Sequence, residues 1–158
     1  AKESGVPLIV ITADRPPEMR ECASGQTIDQ QKIFGGYTTW YHELAVPEAR
    51  IDLLRYLRQT IVHACERAHR PEAGPVHLNA PFRDPLPPLE NETAKSLVGA
   101  IHEDFFAHLE AAPPDITSRA VQRPTSARGL IVAGAYAAPD PEKYATALTQ
   151  LATTLGWP

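Results

Sequence analysis

Apolar and polar positions fall along the chain in blocks that predict strands and helices in succession. Ala1–Ser4 reads as the last turn of a helix, with Gly5 as its C-terminal stop and Pro7 close behind. Val6–Thr12 is a continuous, β-branched apolar run, the pattern of a strand buried on both faces. Arg15-Pro16-Pro17 ends it, because proline cannot donate to a ladder. Thr27-Ile28-Asp29-Gln30 has capping-box spacing, with Thr27 as N-cap and Gln30 reaching back. It predicts a short helix through Phe34, closed by Gly35-Gly36. Within Tyr37–Leu44, the residues Trp40, His42 and Leu44 alternate on one face of a strand. A helix is expected from Ala49 or Asp52 to Arg67, since Leu54, Leu57, Ile61, Ala64, Cys65 and Ala68 recur at helical spacing. Pro71 and Gly74-Pro75 break it, and Val76–Asn79 is a short buried strand stopped by Pro81.

Helix, strand, loop and helix, strand, helix, strand is the order of a doubly wound α/β unit that lacks its beginning. Residues 83–89 (RDPLPPL) form a proline-rich connector. Leu97, Ile101, Phe105 and Leu109 share one face of a helix, although Gly99 and the flanking prolines dilute the pattern. Residues 111–128 read as extended linker. Leu130–Gly134 is again a buried strand, and Glu142–Leu155 a helix, so a second α/β domain starts and breaks off after one strand–helix pair. The expected divisions are therefore 1–86, 87–127 and 128–158. Both ends look cut from a longer polypeptide.

Composition mainly excludes. Hydrophobic content of 43% and charge of 22% over 158 residues are those of a globular protein, not a disordered one. A formal charge of -4 with no recurring basic stripe argues against nucleic-acid binding, and the apolar runs are far short of a membrane span. Cys22 and Cys65 make no disulfide framework, which points to a reducing compartment.

The densest stretch is Thr12–Gln31, TADRPPEMRECASGQTIDQQ, at the end of the first strand, where α/β proteins place their chemistry. Arg15 and Arg20 offer planar forks suited to carboxylate or phosphate, but the local sequence favours their pairing with Asp14, Glu18 or Glu21 as solvated surface. Gln26 can donate and accept before a helix N-terminus, but the local sequence favours a loop residue that merely satisfies backbone groups. Asp29 reads as helix-dipole stabilisation, and Cys22, beside Glu21, as an unreactive packed thiol. Cys65 and His69 are four apart on one helix with no second pair, so a core thiol and a surface imidazole are expected rather than metal ligands. The other histidines form no metal pattern, and the Gly134 region lacks both GxGxxG and a P-loop.

The words PLIVITADRPPEMREC, GQTIDQQKIFG and GPVHLNAPFRDPL, in this order and spacing across residues 1–86, resemble the 2-succinyl-5-enolpyruvyl-6-hydroxy-3-cyclohexene-1-carboxylate synthases. These are thiamine-diphosphate enzymes of menaquinone and phylloquinone synthesis. RGLIVAGAY and the helix ending LGWP resemble the start of that family's middle domain. The resemblance implies the later half of a doubly wound pyrimidine-binding domain, a Pro-rich linker and the start of a Rossmann-like α/β middle domain. The implied reaction decarboxylates 2-oxoglutarate and adds the succinyl unit to isochorismate. Acetolactate synthases share the architecture, and a non-catalytic relative would keep the same fold; both stand as alternatives.

By the resemblance, Arg15 occupies the TADRP arginine and should hold a substrate carboxylate. Gln26 matches the active-site glutamine that contacts substrate or the cofactor adduct, whereas Gly25 stands where relatives commonly carry asparagine. Arg20 is expected to be structural. Thiamine diphosphate and Mg²⁺ (or Mn²⁺) need a carboxylate and a GDG-type metal motif that the family places before Ala1 and beyond Pro158. No catalytic or metal-binding residue is therefore expected in this stretch, and the chain by itself should not turn over. A homodimer or homotetramer in the cytoplasm, or in the plastid stroma of a plant or alga, is further implied.

Overall fold

The computed structural model describes residues 1–87, 90–109, 122, 124–134, 138 and 140–158. They fall into two units, Ala1–Ala111 and Ala112–Pro158.

In the first unit, three parallel strands form a sheet in the order β1-β3-β2: β1 (Leu8–Asp14), β2 (Trp40–Glu43) and β3 (Pro75–Pro81). Before β1, residues 2–5 make a single turn that ends on Gly5 in the left-handed region, as its C-terminal stop role predicts. The strand buried on both faces is β3, all seven residues of it, and not β1. Central position explains this: β3 has neighbours on both edges, whereas among the described residues β1 pairs on one edge only. Ile9 and Ile11 of β1 remain 37% and 62% exposed.

Helix α1 (Ile51–His69) covers one face of β3 and β2. Ala64 and Ala68 pack on Val76 and Leu78, with Trp40, Leu44 and Ile61 around them, so the β2 alternation and the helical spacing place side chains as expected. Two alanines on the packing face let helix and sheet approach closely, and the core is small. Cys65 faces outward, which corrects its reading as a core thiol: it lies one position round the helix from Ala64.

The stretch after the proline-rich connector carries a helix, as expected there, but a shorter one. Helix α2 (Glu92–Ala100) starts at Asn91, whose side chain accepts from the Thr93 N–H at 2.8 Å. It ends before Ile101, so the four-residue apolar series does not continue as one helix. Phe105 instead lies on a 3₁₀ turn (Glu103–Phe106), buried against Arg58 of α1. The guanidinium carbon sits 4.6 Å from the ring centroid, and Arg58 also donates to the Phe105 carbonyl. Most of residues 111–128 lie outside the described residues.

In the second unit, helix α3 (Pro141–Leu155) is capped by Asp140, which accepts from the Lys143 N–H at 2.9 Å, and stopped by left-handed Gly156. Leu130–Gly134 is not a strand: the described residues of this unit include no neighbour for it to pair with, and the Ile131 N–H donates to the Pro158 carbonyl instead.

Candidate functional site

Side chains at i and i+2 of a strand point the same way. Thr12 with Asp14, Tyr41 with Glu43, and His77 with Asn79 therefore make the sheet face away from α1 polar. Register sets Thr12, Asn79 and Glu43 in one row across the three strands, with His77 beside Tyr41 in the row before. Thr12, Asp14, Glu43 and Asn79 lie towards the C-terminal ends of the strands, with His77 and Tyr41 one row further in.

A continuous network joins them. Thr12 Oγ1 donates to Asn79 Oδ1 at 2.8 Å, so it accepts from His77 Nε2 at 2.7 Å, which assigns that nitrogen the proton. Asn79 Nδ2 donates to Asp14 Oδ2 at 2.8 Å. Asp14, its side chain 1% exposed, also accepts from the Arg15 N–H at 2.7 Å and from Gln30 Nε2 at 3.3 Å. Arg20 Nη2 lies 2.9 Å from Asp14 Oδ2, off the hydrogen-bond axis, and acts there as an ion pair. Its Nη1 pairs with Glu43 Oε1 at 2.6 Å, and its Nε donates to the Arg15 carbonyl at 3.2 Å. Glu43 Oε2 accepts from Tyr41 at 2.8 Å and from Gln31 Nε2.

The electrostatics follow from this wiring. Burial pushes the Glu43 pKa up, but hydrogen bonds from Gln31, Tyr41 and Arg20 outweigh it and hold the carboxyl below its usual range. Burial likewise works against the Arg20 charge, and the bond to Glu43 with the charges of Glu43 and Asp14 reverses the effect. Burial and then the Glu43 bond raise the Tyr41 phenol, so it stays protonated. Burial lowers the His77 pKa and keeps the ring neutral, with the Phe34 ring edge-on at 4.8 Å.

The capping box does not form a helix. Gln30 and Gln31 turn their amides to Asp14 and Glu43, and residues 31–34 make turns, followed by a 3₁₀ turn at Gly35–Tyr37. Thr27 Oγ1 bonds the Gly25 carbonyl at 3.5 Å rather than a helix N–H. Asp29, with no helix to stabilise, pairs with Lys32 at 3.4 Å. Between Arg20 and Gln30, three residues other than glycine take left-handed backbone: Glu21, Ala23 and Gln26, with φ of 61°, 54° and 59°. This loop and the polar face enclose an open cleft of about 350 Å³, lined by Asp14, Arg20, Ser24, Thr27, Gln30 and Lys32 among others.

Arg15 and Gln26 do not line that cleft. The Arg15 side chain is 24% exposed and, among the described residues, its guanidinium is held by long contacts of 3.5 Å to Asp84 Oδ2 and to the Gly25 carbonyl. Gln26 is exposed, one residue from that carbonyl, and makes no side-chain hydrogen bond to a described residue. Cys22 is exposed, its Sγ 3.7 Å from the Glu18 carbonyl, so it is not a packed thiol. His69 Nδ1 lies 2.8 Å from the Cys65 carbonyl of its own helix. Sequence reasoning missed Thr12, Asn79, His77 and Glu43. Their signal was available as polar residues two apart inside runs otherwise apolar or aromatic.

Thiamine diphosphate, which the family resemblance implies, does not fit these residues by themselves. Asp14 and Glu43 already accept from two or more donors each, and no described group of histidine, cysteine and carboxylate residues is placed to hold a metal. No described helix is long and apolar enough to cross a membrane.

No family model matches the chain. Similar proteins are the 2-succinyl-5-enolpyruvyl-6-hydroxy-3-cyclohexene-1-carboxylate synthases of Rippkaea orientalis and Nostoc sp., each 47% identical, over 163 and 164 residues respectively. That of Synechococcus elongatus is 48% identical over 160 residues. Each alignment covers all of this chain but only 27–28% of the relative's length. The resemblance carried by the three sequence motifs thus extends over the entire chain.

Proposed function

We propose that the chain is a segment of a 2-succinyl-5-enolpyruvyl-6-hydroxy-3-cyclohexene-1-carboxylate synthase, a transferase of menaquinone or phylloquinone synthesis. The observation that carries this is identity of 47–48% maintained over the whole chain. Residues 1–86 are the later half of its pyrimidine-binding domain and residues 128–158 the start of its middle domain, with residues 87–127 between them. The complete protein works in the cytoplasm, or in the stroma of a plastid, as at least a homodimer. It uses thiamine diphosphate and a divalent metal held mainly by other segments.

In this reading, loop 15–31 is one wall of the active site. Both substrates, 2-oxoglutarate and isochorismate, are anions, and Arg15 is a cation at the C-terminal end of β1 whose two contacts, each 3.5 Å long, leave its fork free to turn to a carboxylate. Gln26, exposed beside the Gly25 carbonyl, supplies an amide to the same ligand. The test is product formation by the complete protein from 2-oxoglutarate plus isochorismate, compared with pyruvate alone. Product from the pair is expected, and product from pyruvate only defeats the proposal. Arg15→Ala should raise KM for an anionic substrate by about tenfold or more, the loss of one charge-assisted hydrogen bond or two.

A further inference from the structure

We propose that Glu43 and Arg20 are positioning residues whose ion pair fixes loop 21–26, and with it Gln26 and the carbonyl facing Arg15, against the ends of β1 and β2. The proposal rests on the reading of that loop as an active-site wall.

The loop is closed like a ring. Its outgoing limb brings Arg20 across the top of β3, one nitrogen on Asp14 of β1 and the other on Glu43 of β2. Its returning limb brings Gln30 to Asp14 and Gln31 to Glu43. Each carboxylate therefore grips one group from each limb, and Arg20 Nε fixes the start of the loop through the Arg15 carbonyl. Everything between the limbs has its ends set by these contacts.

Two physical points assign this arrangement to geometry rather than to stability. A partly buried ion pair loses hydration on both partners, and an apolar replacement of similar size is commonly as stable, so such pairs act best by fixing register. Left-handed backbone at Glu21, Ala23 and Gln26 is costly for side chains with a Cβ and persists only where the surroundings over-determine it. The two clamped limbs supply that constraint. Gln26 is itself one of the three, so loosening the clamp moves the residue that faces substrate in this reading.

Glu43→Gln in the complete protein tests the clamp. The glutamine keeps the size and the acceptor for Tyr41 and Gln31, but turns an amide N–H towards Arg20. Amide hydrogen exchange at residues 21–26 should rise about tenfold or more, well beyond any rise in α1 and β3, whose exchange follows global stability. KM for 2-oxoglutarate or isochorismate should rise about tenfold, with kcat within about twofold, and Glu43→Asp should recover part of the loss. Unchanged exchange at 21–26 overturns the proposal. So does a rise of the same size in α1 and β3 as at 21–26, or a fall in kcat with KM unmoved. If the unsubstituted protein makes no product from the two substrates, the functional reading fails separately, and exchange at 21–26 alone decides the clamp.

Discussion

His77 is 1% exposed, and burial holds its pKa below the ordinary histidine value. The unfolded chain therefore binds a proton that the folded chain refuses, and stability must fall on acidification. The contribution is complete above about pH 6.5 and is lost as pH drops through the folded pKa. Glu43 acts with the same sign in a lower window. Its folded pKa is depressed, so its contribution is present above about pH 4.3 and is lost below it. Melting temperature against pH should show both declines, and His77→Gln, which keeps a donor for Thr12, should abolish the upper one. Asn79→Leu should cost about 3 kcal/mol in denaturant titration, because it strips a donor from buried Asp14 and an acceptor from Thr12. Ala23→Gly should raise stability by up to about 1 kcal/mol, as glycine takes the left-handed backbone without a Cβ clash. None of these partners is adjacent in sequence. Thr12 and Asn79 are 67 residues apart, so local reading could find each polar residue but not their junction.

Elements were legible where a repeat spacing dominates and illegible where tertiary contacts compete with it. Helix α1 and strand β3 follow directly from apolar spacing and from breakers at Pro71, Gly74 and Pro81. The β1 run misled about burial, since a β-branched apolar sequence cannot tell a strand paired on both edges from one that, among the described residues, pairs on one. At Thr27–Gln30 a valid capping signal lost to two carboxylates that drew the glutamine amides away. In the second unit, a Cβ built on Gly129 would lie 2.3 Å from the ring of Trp157, whose backbone N–H donates to the Ala152 carbonyl at 3.2 Å. Gly129→Ala should cost about 2 kcal/mol and shift the Trp157 fluorescence towards that of exposed indole.

For the whole molecule, sequence words identified the relatives better than any local chemistry did, and the identity of 47–48% extends that likeness from end to end. The chain nevertheless spans only 27–28% of those relatives. Its carboxylates at the strand ends are committed to internal partners, so calorimetry with thiamine diphosphate and Mg²⁺ on this chain alone should show no tight binding. One further consequence lies in the order of events during folding. The β1–β3 pairing joins Leu8 to Pro75 in parallel, and no hairpin shortens that closure. Loop 15–31 takes its shape from contacts that need Asp14, Glu43 and Asn79 brought together by β1, β2 and β3, so it should form late, after the strands have paired. Relieving its left-handed backbone with Ala23→Gly should therefore slow unfolding while the refolding rate stays the same, which stopped-flow measurements on the two limbs of the chevron would read directly.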